Sequence, residues 1–160
     1  MPVPYDYQDL LPFVGETAPG PQRTAFRKVE LARIQEAEAR LGFPFPRQVR
    51  AFYETIGSGT LCVARRPPRD ARWSTVLNRI LHPQTVAALY LNEAADSPDP
   101  PLRRNELPVF EGLPGQYLIV DPFSGTPNAV HSRHKISEVA PGFADFIQRL
   151  RDEDAVFYLR

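Results

Sequence analysis

A single α+β domain, with a mixed or antiparallel central sheet packed by about four helices, is what this sequence predicts. Three observations carry it. Apolar stripes at helical spacing, Leu31-Ile34-Ala37-Leu41 and Val49-Phe52-Tyr53-Ile56, follow one another early in the chain, and Phe143-Phe146-Ile147-Leu150 repeats the pattern near its end. Between them lie short apolar runs of strand length, separated by turn formers. The order helix–helix–strand, helix, several strands, helix lacks the regular alternation of a doubly wound fold. With 160 residues, 42% of them hydrophobic, the chain makes one ordinary domain with room for a core.

Residues 1–28 read as an N-terminal extension that packs on the domain. Tyr5, Tyr7, Leu10, Leu11 and Phe13 give it apolar grip, and residues 15–22, GETAPGPQ, form a loop by their proline and glycine content. The main domain is expected over 29–151. Its first helix covers 29–41, because Gly42 supplies the C-terminal stop and Pro44 forbids continuation. A second starts at Pro46, whose missing N–H costs nothing in a first turn. Gly57-Ser58-Gly59 reads as its cap and turn, and a short strand is expected over 61–64.

Residues 64–73, ARRPPRDARW, are basic, proline-broken and expected to be an exposed loop. A third helix is expected over 83–91 and a second loop over 95–106. Strands follow at 107–110 and 117–120. A turn at 121–127, DPFSGTP, leads into a partner strand at 128–131 and a further short piece at 135–139. The last helix begins at Pro141. Residues 152–160 form a C-terminal tail without a pattern that assigns it.

Composition excludes several classes. No apolar run approaches the ~20 residues of a membrane span. MPVPYDYQDLLPF has neither a basic n-region nor a long apolar h-region, so an unprocessed cytoplasmic protein is expected. The 19 basic and 19 acidic residues balance, which argues against direct nucleic-acid binding through phosphate neutralisation. The balance is uneven along the chain, with 12 Lys/Arg against 8 Asp/Glu in residues 1–80 and 7 against 11 in residues 81–160. Cys62, the one cysteine, sits in LCVA and reads as a small buried hydrophobe; neither an internal disulfide nor a thiolate metal cluster can form.

The segment IQEAEARLGFPFPRQVRAFYETIGSG resembles the opening of the SUKH superfamily, the cell-wall-assembly regulator and bacterial toxin-immunity family. Ile34, Glu38, Leu41, Gly42, Pro46, Phe52, Tyr53 and Gly57 take the places of its helix–proline–aromatic helix–glycine pattern. Phe45 stands where the family usually has leucine, and Ile56-Gly57 where it often has Asn-Gly. QYLIVD, the strand after Pro127 and GFADFIQRL resemble its closing strand–turn–strand–helix, so the resemblance covers about 29–151. It implies an interaction module without catalysis or cofactor. Its bacterial members are typically immunity proteins that bind and neutralise a cognate polymorphic, contact-dependent or secreted toxin, and a eukaryotic branch regulates cell-wall assembly through protein contacts. A cognate toxin domain is therefore the expected partner. The alternative is a regulatory or scaffold protein of the same superfamily, and a small metal-dependent enzyme comes last.

The residues agree with a binding reading. The glycines of Gly57-Ser58-Gly59 follow a helix, whereas a phosphate loop places them before one, and no Gly-Lys-Ser/Thr accompanies them. His131 and His134 are three apart at a strand end, with His82 and Glu138 as the only candidate co-ligands. Asp121 reads as a turn cap, and Glu38 and Glu111 give it no assured acid–base partner. Neither Ser58 nor Ser132 sits in a nucleophile elbow. No catalytic, cofactor or metal residue is assigned.

The candidate contact residues are Arg66, Arg69, Arg72 and Trp73 in the basic loop, joined there by Arg65, because arginine and tryptophan combine contact area with directed hydrogen bonds. Glu93, Asp96, Asp99 and Glu106, with Glu111 nearby, form an acidic counterpart of the kind that faces a basic nuclease. Nothing in the sequence sets the oligomeric state.

Overall fold

The GFPFP connection between the first two helices shows how this fold is organised. The computed structural model describes residues 5–15, 17–20, 23–62, 76–94, 98, 100–133, 137–152 and 157–159. Helix α1 spans Leu31–Leu41 and ends on Gly42, whose φ of 85° allows its N–H to close on the Glu38 carbonyl. Helix α2, Arg47–Thr55, follows after Pro46. The link is held by one side chain. Glu38 accepts the Phe45 backbone N–H at 2.9 Å and the Arg50 Nε–H at 3.2 Å, tying the end of α1 to the start of α2. Glu38, at 13% side-chain exposure, is shielded enough for this to matter. Glu38→Ala is expected to lower stability by about 2 kcal/mol, and Glu38→Gln by about half that, because the amide oxygen still accepts one N–H. Urea unfolding checks this; a midpoint unmoved by Glu38→Ala refutes the tie.

The α2 stripe is buried as its spacing predicts: Val49, Phe52, Tyr53 and Ile56 are all within the core. Tyr53 is fully buried and donates its hydroxyl to the Leu81 carbonyl at 2.7 Å; burial also pushes its phenol far above the usual tyrosine range. Helix α1 departs slightly from expectation. It starts at Leu31, because Glu30 is extended and acts as the cap, and Leu31 is 53% exposed while Ile34, Ala37 and Leu41 are buried. Val29 and Ile34, at the spacing of a hydrophobic staple, both lie in the core.

The remaining elements are β1 (Ala25–Arg27), β2 (Ser58–Thr60), β3 (Arg79–Ile80), α3 (Pro83–Tyr90), β4 (Leu107–Glu111), β5 (Tyr117–Val120), β6 (Val130–Ser132), β7 (Ser137–Ala140) and α4 (Phe143–Asp152), with 3₁₀ turns at Gln8–Phe13 and Phe157–Leu159. The seven strands form one antiparallel sheet in chain order, so the α+β class is as predicted and the sheet is antiparallel. Helix α4 packs its Phe146 ring 4.9 Å from Phe110 of β4, and Phe110 pairs with Leu118 of β5, so Leu118 and Val120 face the helices. Ile119 and its cross-strand partner His131 share the opposite face. Pro108, in the sheet interior, has no N–H to give, and the β4–β5 ladder shifts register between Pro108 and Phe110. No helix among the described residues is long and apolar enough to cross a membrane.

Several expectations are corrected. Ser58 and Gly59 are not a turn but part of β2, and this strand precedes the one expected over 61–64, whose last two positions lie outside the described residues. The reason is backbone packing. β1 lies so close to the start of β2 that only glycine fits at positions 57 and 59, where a Cβ would press on the Arg27 and Ala25 carbonyl oxygens. β1 falls in the stretch read as an N-terminal extension, and the two-residue β3 in one to which the sequence assigned no element. The β6 and β7 strands sit one to two residues later than expected. Tyr7 and Leu10 are buried in the core, and Tyr7 donates its hydroxyl to the Gln48 carbonyl at 2.9 Å.

His82 caps α3, its Nδ1 accepting the Gln84 N–H at 3.1 Å. Burial, with a smaller contribution from the Arg33 charge, lowers its pKa below the ordinary 6.5. The folded chain therefore binds this proton less readily than the unfolded chain. The stabilisation is complete above about pH 6.5 and is lost as pH falls through the folded value. Because protonation removes the capping lone pair, stability is expected to fall by up to about 1 kcal/mol more on acidification than in His82→Asn, which keeps a non-titrating acceptor. Identical pH profiles of the unfolding midpoint for the two proteins overturn this.

Candidate partner-binding surface

The loop before β4 and the end of β6 are joined by a shielded ion pair. Arg133 donates its Nε–H to Glu106 Oε2 at 2.9 Å and its Nη2 hydrogens to the Pro100 and Pro101 carbonyls at 2.6 and 3.0 Å. The Arg103 N–H donates to the other carboxylate oxygen, Oε1, at 2.8 Å. Side-chain exposure is 8% for Arg133 and 13% for Glu106. Burial pushes the Glu106 carboxyl upward, but the Arg103 N–H, the Arg133 hydrogen bond and the charges of both arginines outweigh it and hold it below the usual carboxylate value. The contact residue expected at Glu106 is thus also the anchor of its own loop.

This anchoring opens a cleft of about 340 Å³ between the loop and the outer face of the sheet. Ile119 and His131 line it from β5 and β6, Asp121 from the following turn, and Arg103, Asn105 and Arg133 from the other side. Asp121 accepts the Phe123 N–H at 3.0 Å through Oδ1, the turn cap its position predicts.

Beside the cleft stands an aromatic patch that the sequence reading left out. Phe123, two residues after Asp121, is 50% exposed. Its ring lies 5.0 Å from Phe43 of the GFPFP link, which in turn lies 5.5 Å from Tyr90 at the end of α3, both edge-on. The Arg104 guanidinium sits 5.2 Å above the Phe123 ring, and the Tyr90 hydroxyl donates to the Arg104 carbonyl at 2.8 Å. Leu91, the C-cap of α3, is 37% exposed. The one advance signal was an aromatic residue inside a run of turn formers, DPFSGTP.

Of the other sequence-derived candidates, Glu93 is exposed and pairs across to Arg40 of α1, which also reaches Gln84 at 2.7 Å. Glu111 is buried; it pairs with Arg79 and accepts the Gly115 N–H at 2.9 Å, and so holds the β4–β5 hairpin. Arg65, Arg66, Arg69, Arg72, Trp73, Asp96, Asp99 and His134 lie outside the described residues. His131 faces Glu138 across β6 and β7, and the described residues contain no group of three or more His, Cys, Asp or Glu placed to hold a metal. Cys62 is buried beside Val76.

No curated protein matches the chain. The model of the SMI1 / KNR4 family (SUKH-1) matches residues 28–149, well over half of its length, and takes in both the opening helix–proline–helix segment and the closing strands and helix. With the helix link, the antiparallel sheet and the terminal helix in the order that the motifs require, the chain belongs to the SMI1/KNR4 family (SUKH-1).

Proposed function

We propose that this protein is a cytoplasmic immunity protein that binds a cognate toxin domain and neutralises it by contact, without a cofactor and without chemistry of its own. The family match over residues 28–149 carries the reading, since the superfamily includes immunity proteins of this kind. The polar constellations are in keeping with it. Glu38, Glu106, Glu111 and His82 each serve a structural hydrogen bond or ion pair. The proposed contacts are the basic loop with Arg66, Arg69, Arg72 and Trp73, and the acidic residues Glu93, Asp96, Asp99 and Glu106. Charge of both signs on one protein steers encounter and rejects wrong partners.

Co-expression with the toxin encoded beside it tests the proposal. Growth should be restored, and the two chains should purify together as a stable complex. If cells die as readily with the protein as without it, and no complex forms, the immunity reading fails and a regulatory role within the family takes its place.

A further inference from the structure

We propose that Phe43, Tyr90 and Phe123, together with the cleft donors beside them, form a docking site for a protein segment that presents a carboxylate next to an apolar side chain. The inference deepens the immunity reading and rests on it only for the partner's identity.

The apolar half follows from the rings. Phe43, Tyr90 and Phe123 come from three distant parts of the chain and meet at the surface. Phe43 and Tyr90 pack against the core, but half-exposed Phe123 is not part of it. Arg104 lies over Phe123, and its backbone is held by Tyr90, so the patch is ordered before any partner arrives. Clustered aromatic and arginine side chains are the composition of binding hot spots.

The polar half follows from which hydrogen-bonding groups are already used. Both Glu106 oxygens are consumed, by Arg133 and by the Arg103 N–H, and Asp121 Oδ1 is consumed by its own turn. The donors are not consumed: the Arg103 charge acts on Glu106, but among the described residues neither its guanidinium nor the Asn105 amide makes a hydrogen bond, and both line the cleft. A carboxylate supplies the acceptor that these donors lack. A nucleic-acid strand fits less well, because Glu106 and Asp121 line the same cleft and a run of phosphates would have to pass both.

The test uses the full chain, labelled with ¹⁵N, and three probes: the blocked dipeptides N-acetyl-Phe-Asp-amide and N-acetyl-Phe-Lys-amide, and a single-stranded oligothymidylate. Amide shifts at Phe43, Tyr90, Arg103, Arg104 and Phe123 should saturate at about tenfold lower concentration for the acidic dipeptide than for the basic one. Phe123→Ser, at an exposed position, should weaken both dipeptides, and Arg103→Gln should erase the preference between them. The proposal is overturned if the shifts are absent or map elsewhere, or if the basic dipeptide binds as well. It is also overturned if the oligonucleotide binds these residues more tightly, if the same shifts appear on concentrating the protein alone, or if the variants behave as the parent. A toxin that fails to bind the parent protein sinks the immunity reading and leaves the dipeptide result standing. A toxin that binds parent and both variants equally sinks the docking site and leaves immunity standing.

Discussion

Gly57→Ala is expected to be among the most damaging single substitutions in the described structure, with a loss of about 4 kcal/mol. Gly57 has a φ of 118°, which side-chain-bearing residues rarely adopt, and strain of that kind costs roughly 1–3 kcal/mol. An added Cβ would also stand against the Arg27 carbonyl oxygen and 2.9 Å from Lys28 Cα. These are backbone atoms, so relief requires moving a strand and not a rotamer, for about 1–3 kcal/mol more. The strand that must move is β1, whose Phe26 is fully buried with its ring 5.8 Å from Phe52. Against a typical total of 5–15 kcal/mol, the melting temperature should fall by roughly 10 °C or more. Gly125→Ala is the control: a Cβ there meets nothing within 4 Å, and the change should be near neutral. If the two substitutions prove equally mild in urea and thermal unfolding, close packing of β1 on β2 is not what position 57 is for.

Where this fold was legible in advance, the signal was long. Helix α4 carries four buried positions at helical spacing, helix α2 carries three with the fourth at its C-cap Ile56, and β5 is a continuous apolar run of four residues. β1 and β2 have three residues each and β3 has two, too short for alternation to stand out, and β2 contains a glycine that propensity assigns to turns. In the native sheet that glycine is a packing requirement, so local preference and tertiary role point in opposite directions. The candidate site was less legible still. Phe43 lies between Gly42 and Pro44, and Phe123 between Pro122 and Ser124, contexts that announce connections and say nothing of which connections meet. Glu106 and Arg133 are 27 residues apart, and no spacing rule pairs them. Glu106 was picked out for its charge, whereas the fold matches that charge internally and leaves the neighbouring donors open.

Removing Arg133 should cost about 3 kcal/mol, because it strips the partner from a carboxylate whose side chain is only 13% exposed and frees the two proline carbonyls. Glu106→Gln should cost somewhat less, since the amide oxygen still accepts the Arg103 N–H or the Arg133 Nε–H. The double variant should fall short of the sum by about 1–3 kcal/mol, the coupling expected for groups in one network. Arg133→Lys should recover only part of the loss, as a single ammonium cannot reach the carboxylate and both carbonyls in the geometry of a planar guanidinium. The pH profile gives an independent readout. The folded Glu106 carboxyl titrates below its ordinary value of 4.5, so the pair's contribution is present above that value and disappears as pH falls through the folded one. Acid should therefore destabilise the parent protein more steeply than Arg133→Ala. The same variant should loosen the loop before β4 and with it one wall of the cleft, raising amide exchange at residues 100–106 while α2 stays protected. Strict additivity of the two single changes, or an acid limb that Arg133→Ala leaves untouched, refutes the anchoring role of the pair.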